Sequence, residues 1–173
     1  MTTFLKNRDM KFSFHLLLAC IALTACGESG KTTADYRIVP CPGEIAPGDG
    51  GDFELDARTR IVCTGDNDGM RANAEFLAGY VESVVGSAPE ITGPDGLCDD
   101  GRAVILRADA PGKGGEAYEI EVSENRITVS GESDAGVFYG IQTLRKAMGA
   151  AKAAKVLFPA VRIADEPYLG YRG

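Results

Sequence analysis

One histidine, His15, stands in the whole chain, inside an apolar N-terminal stretch, so the commonest proton-moving side chain is missing from everything after it. A Ser-His-Asp triad, a Cys-His pair and a histidine-ligated metal centre all need that residue. Several stretches nonetheless imitate chemistry. Gly131-Glu132-Ser133-Asp134-Ala135 falls where a strand should turn into a helix, as a nucleophile elbow does. It lacks the last glycine of that motif and any histidine base, so Ser133 or Asp134 reads as a helix cap. Gly65-Asp66-Asn67-Asp68-Gly69 offers oxygens for calcium, yet an EF-hand counted from Asp66 requires glycine sixth and glutamate twelfth, where Arg71 and Leu77 stand. A loop leading into a helix is expected instead. Gly30-Lys31-Thr32 copies the end of a phosphate-binding loop whose first glycine would fall on Ala25. Among 25 acidic residues no spacing singles out a pair for acid-base hydrolysis, and Asp99 and Asp100 read as solvated turn residues. No catalytic, substrate-binding, cofactor-binding or metal-ligating residue is assigned.

The elements that would have to position any site follow from periodicity. Phe53-Glu54-Leu55 and Arg60-Ile61-Val62-Cys63 are short strand candidates, and Tyr36-Arg37-Ile38-Val39 before Pro40 suggests an edge strand. From Met70 to Val85, Ala74, Leu77, Val81 and Val84 recur at helical spacing until Gly86 stops the pattern. The apolar run Ala103-Val104-Ile105-Leu106 predicts a strand buried on both faces, and strand, helix, strand implies a right-handed crossover. Tyr118, Ile120 and Val122 alternate with Glu119 and Glu121, then Ile127 and Val129 with Thr128 and Ser130, which predicts a hairpin with one dry face. A second helix runs from Ser133 or Asp134 to about Met148, with Gly136 and Gly140 letting its backbone approach the sheet. Val161-Arg162-Ile163-Ala164 closes the series. The expected fold class is α+β, a mixed β-sheet with two amphipathic helices packed on one face.

Length and charge bound the rest. The 173 residues hold about one domain plus a leader, and a net charge of −7 disfavours nucleic acid as a partner. Lys6, Arg8 and Lys11 precede an apolar stretch from Phe12 to Ala25, too short to cross a bilayer, which is the layout of a signal for export. Leu23-Thr24-Ala25-Cys26 resembles the lipobox of bacterial lipoproteins, which implies cleavage after residue 25 and a lipid on Cys26; ordinary cleavage is the alternative, and Met10 is an alternative start. The expected address is the bacterial cell envelope, in the periplasm or at the outer membrane, with the lipid anchor the sole membrane contact. Residues 26–35, small and polar, read as a flexible tether. Cys41, Cys63 and Cys98 then remain, enough for one disulfide whose pairing the sequence leaves open, and no CxxC spacing occurs. With no tryptophan available, Tyr36, Tyr80, Tyr118, Tyr139, Tyr168 and Tyr171 are the aromatic platforms on offer, most of them expected in the core or at sheet edges.

Three consecutive pieces carry a resemblance: 115–122 (GEAYEIEV), Ile127-Thr128-Val129, and 135–144 (AGVFYGIQTL). Together they resemble the non-catalytic N-terminal domain of family 20 glycoside hydrolases, the β-N-acetylhexosaminidases. The stretch 158–167 (FPAVRIADEP), followed by Tyr171-Arg172-Gly173, is similar to the junction where that domain meets the catalytic (β/α)8 barrel. The resemblance covers residues 36–173. It implies an accessory domain over 36–164, the start of a linker at 165–173, and a barrel partner that releases terminal β-linked N-acetylhexosamine from glycans. It also implies that an adjacent Asp-Glu pair on the barrel does the chemistry. Asp165-Glu166 imitates that pair but follows Arg162-Ile163-Ala164 rather than His-x-Gly-Gly, and so reads as an interdomain turn, while Arg172 does not inherit the family's sugar-clamping role. The implied function is an accessory domain inert by itself; the alternative is a stand-alone envelope module that binds a glycan or protein partner.

Overall fold

The computed structural model describes residues 30–96, 101–109 and 115–166. A seven-stranded mixed sheet is built from β2 (Glu44–Pro47), β4 (Arg60–Cys63), β5 (Ile91–Thr92), β6 (Ala103–Arg107), β7 (Tyr118–Ser123), β8 (Arg126–Gly131) and β10 (Val161–Asp165). Their order is β2-β10-β7-β8-β6-β4-β5. β6 runs parallel to both β4 and β8, whereas β7 is antiparallel to β8 and to β10. A smaller sheet sets β9 (Lys155–Phe158) between β1 (Lys31–Thr33) and β3 (Phe53–Leu55).

Two helices, α1 (Asp68–Val85) and α2 (Asp134–Met148), cover one face of the large sheet, as periodicity predicts. α1 begins two residues before its apolar stripe because the Asn67 side chain accepts from the Met70 N–H at 2.8 Å, a cap that periodicity does not register. It buries Met70, Ala74, Leu77, Val81 and Val84 and ends at Gly86, whose φ of 85° suits glycine. In α2 the Ser133 hydroxyl accepts from the Ala135 and Gly136 N–H groups, and Arg145 and Lys146 in the last turn oppose the helix dipole. Fully burying each Leu, Ile or Val side chain on this stripe contributes roughly 1.5 to 3 kcal/mol, which is what holds the helices to the sheet.

The hairpin has the expected faces: Tyr118, Ile120, Val122, Ile127 and Val129 are buried toward the helices, while Glu121 and Arg126 are exposed on the other side. β6 is buried on both faces. Val104 and Leu106 join the main core, and Ala103 and Ile105 form a second cluster with Val62.

Three expectations are corrected. Residues 31–35 are not tether, because Lys31–Thr33 pairs in parallel with Lys155–Leu157 and the Asp35 N–H donates to the Ala147 carbonyl. Tyr36–Val39 is consequently not the edge strand, its ladder position having been taken five residues earlier; the Tyr36 hydroxyl instead donates to the Pro159 carbonyl at 2.9 Å. The last strand extends to Asp165, one residue into the expected linker. β2, β5 and β9 are additions to the elements that pattern alone suggests. Cys20, Cys26, Cys98, Asp99, Asp100, Tyr168, Tyr171 and Arg172 lie outside the described residues.

Candidate functional site

Each imitative motif resolves into local structure. The Ser133 hydroxyl, besides capping α2, donates to the Gly115 carbonyl, so it is committed to the backbone and not poised as a nucleophile. In the acidic loop Asn67 is the cap of α1, and exposed Asp66 faces Arg71 at 3.7 Å. No group of three or more histidine, cysteine or acidic side chains that could hold a metal occurs among the described residues. Asp165 sits at the end of β10 opposite Tyr118, and its Oδ1 accepts the Gly43 N–H at 3.1 Å, which ties down the β2 edge. Glu166 beside it is exposed. Cys41 is exposed and Cys63 buried, both as free thiols.

Where carboxylates do gather, they are neutralised. Glu54 on β3 accepts from Lys155 Nζ at 2.7 Å and from Arg102 Nη1 at 3.1 Å. Asp56 receives Arg102 Nη1 at 3.3 Å, the Arg58 guanidinium at 3.1 Å and the Arg58 N–H at 2.9 Å. The Lys155 hydrogen bond, working against partial desolvation and helped by Arg102, holds the Glu54 carboxyl below its ordinary range. Burial pushes Asp56 upward, but the Arg58 hydrogen bonds and the charges of Arg58 and Arg102 outweigh it and leave it lowered as well. A general acid for glycosidic cleavage needs the opposite shift, so this lattice is built to stay ionised.

Its thermodynamic sign follows. Both folded pKa values lie below the unfolded ones, so the stabilisation is present above the unfolded carboxylate range and is lost as pH falls through the folded values. Acid titration is therefore expected to lower the Tm below about pH 4, the ordinary carboxylate range. Asp56→Asn should flatten that acid limb while costing stability at neutral pH; a limb unchanged in the variant would rule out this assignment.

The one concavity among the described residues that merits notice is a shallow groove along Thr33, Ala34, Asp35, Tyr36, Arg37 and Ile45. It holds no acid-base couple: the Arg37 guanidinium clamps Asp35 at 2.9 and 2.7 Å and lowers its carboxyl to about 2, and burial, with the nearby Asp52 charge, pushes the Tyr36 phenol up. Tyr118 is buried with its hydroxyl 2.6 Å from the Thr143 hydroxyl, and Tyr80 donates to the Gly149 carbonyl at 2.7 Å. The tyrosines described here thus serve packing. What sequence reasoning missed is on the helices, where Phe76 and Phe138 fall off the buried stripes and remain partly exposed. Their departure from the helical apolar phase was the available signal.

The described residues form a layered α+β domain in which Glu54, Asp56, Ser133 and Asp165 are engaged in ion pairs, a helix cap and a backbone cross-link. Its kinship is specific: the model for glycosyl hydrolase family 20, domain 2, matches residues 35–166, and the chain belongs to that family. It is 28% identical over 139 residues to a beta-N-acetylhexosaminidase of Cellulomonas fimi, covering 80% of this chain and 28% of that protein. A beta-hexosaminidase of Porphyromonas gingivalis is also 28% identical, over 94% of this chain and 22% of its own length. Among solved structures, the family 20 beta-N-acetylhexosaminidase of Streptomyces coelicolor superposes with a TM-score of 0.66 at 24% identity, covering 79% of this chain and 28% of that one. That likeness bears on the fold alone. The chain spans about a quarter of the length of these relatives.

Proposed function

We propose that this chain is the accessory N-terminal domain of an exported β-N-acetylhexosaminidase, anchored through a lipid on Cys26, and that it turns over no substrate by itself. Hydrolysis of terminal β-linked N-acetylhexosamine is then the work of a separate catalytic domain. The observation that carries the reading is the family match over 35–166 to the domain in which Asp165, the one tempting acid, is spent on the Gly43 backbone. An assay of the 173-residue chain on a chromogenic N-acetylglucosaminide is expected to show no release of chromophore. Turnover that disappears in Asp165→Asn would overturn the reading. A reading frame that continues into a His-x-Gly-Gly-Asp-Glu segment supports it, whereas a stop directly after Gly173 supports the stand-alone module. Palmitate is expected to label the wild type and not Cys26→Ala; equal labelling removes the anchor.

A further inference from the structure

Charge is divided between the two ends of the domain. The parallel strands β4, β6 and β8 start together, with Arg60 in register with Ala103 and Ala103 with Arg126, and Arg102 immediately precedes β6. The small sheet lies against this end: its Glu54 takes the Arg102 guanidinium, and Phe53, Leu55, Val156 and Phe158 bury its inner face. Its outer face carries Lys31 beside Lys155, with exposed Arg58 and Lys152 at its margin. At the opposite end, where the same strands stop and both helices start, Asp66, Asp68, Asp109, Glu132 and Asp134 stand against Arg71 and Arg107.

At the basic end the main ion pairs leave their cations outermost. The Asp56 side chain is 8% exposed and that of its partner Arg58 77%; for Glu54 and Lys155 the values are 24% and 44%. Lys31, Arg126 and Lys152 are exposed as well. Two carboxylates share that exposure, Glu90, 3.4 Å from Arg60, and Glu124 in the β7–β8 turn. Among the described residues cations still outnumber carboxylates here, in a chain whose formal charge is −7.

The chain also enters at this end. The Gly30 carbonyl accepts the Ala154 N–H at 3.1 Å, which sets the first described residue between Lys31 and Lys152. Only residues 27–30 separate Cys26 from β1, so a lipid there brings the basic end, and not the acidic one, to the headgroups.

We propose that this end, through Lys31, Lys152, Lys155, Arg58 and Arg126, is a docking surface for the anionic phospholipid headgroups of the bilayer that holds the anchor, an inference that rests on the acylation of Cys26 and adds the face that meets the membrane. Each Lys or Arg near an anionic surface strengthens attachment about fivefold. The acidic end is repelled by the same field, so the separation of charge fixes which way up the domain stands.

Lysine acetylation with a membrane-impermeant reagent tests this on the lipidated protein, reconstituted in vesicles of phosphatidylethanolamine and phosphatidylglycerol and in vesicles of phosphatidylcholine alone. Lys31 and Lys152 are expected to react several-fold more slowly on the anionic vesicles, a difference that vanishes at about 1 M salt, where charges are screened beyond ~3 Å. Equal rates on the two kinds of vesicle, whether fast or slow, overturn the proposal. Protection already present in detergent, with a doubled mass in sedimentation, makes a second copy the occupant and overturns it too. Lys152→Glu combined with Arg126→Glu, both at exposed positions, should return Lys31 on the anionic vesicles to its phosphatidylcholine rate; protection that persists in this variant counts against the surface. Palmitate labelling separates the failures. A chain that takes no palmitate at Cys26 sinks the anchor and this surface with it, whereas a labelled chain whose lysines react alike on both vesicles sinks only the surface.

Discussion

Gly136→Ala is expected to destabilise the domain by about 3 kcal/mol or more, a large share of the roughly 5 to 15 kcal/mol available to a domain. A methyl at that position would lie 2.3 Å from the Ala117 carbonyl oxygen and 3.3 Å from the Gly131 Cα. Both are backbone atoms, so no rotamer change relieves the contact; α2 would have to lift from the sheet, taking Val137, Ile141 and Leu144 with it. The neighbouring contacts are equally close: a Cβ on Gly131 would meet the Val137 nitrogen at 2.4 Å, and one on Gly140 the Val129 Cγ1 at 2.5 Å. Helix propensity acts in the opposite direction, favouring alanine by up to about 1 kcal/mol. Gly79→Ala, which gains that propensity with nothing in the way, is the matched control and should be stabilising. Urea unfolding of the three proteins measures both signs, and a Gly136 variant as stable as the wild type would show that α2 does not seat as described.

Phe158→Ala is expected to cost about 3 to 5 kcal/mol, the usual range for deleting a fully buried phenylalanine. Phe158 on β9 pairs in register with Phe53 on β3, and neither ring is exposed to solvent. These two side chains deliver the small sheet into the main core, so the cavity would open at the joint between the sheets. Phe158→Leu, which keeps most of the apolar volume, should lose much less. The comparison is read from denaturation midpoints at unchanged slope; equal midpoints for the alanine and leucine variants would place Phe158 outside the load path between the sheets.

How much of this was visible in the chain itself varied with the range of the interactions. Helix α1, helix α2 and the β7–β8 hairpin were legible because each buries one face at its own period, and periodicity is a local property. Even the close seating of Gly136 and Gly140 could be inferred from their spacing. Lys31-Thr32-Thr33 could not be recognised as a strand, since three polar residues carry no alternation and become a strand only because β9, more than a hundred residues later, offers them a ladder. β9 alternates buried Val156 and Phe158 with half-buried neighbours, yet four residues just past a helix give too short a run to separate from the helix tail. At the candidate site, the lack of histidine was plain from composition. The Lys155–Glu54 link closes over 101 residues, so no spacing rule could have disclosed the ionic lattice.

The parallel pairing of β1 with β9 fixes the backbone from Lys31 onward. On the proposed acylation of Cys26, only residues 27–30 lie between the lipid and that fixed strand, a span of at most about 17 Å even when fully stretched. The domain would then ride close to the bilayer surface instead of swinging on a long leash, with β1 as its membrane-proximal edge.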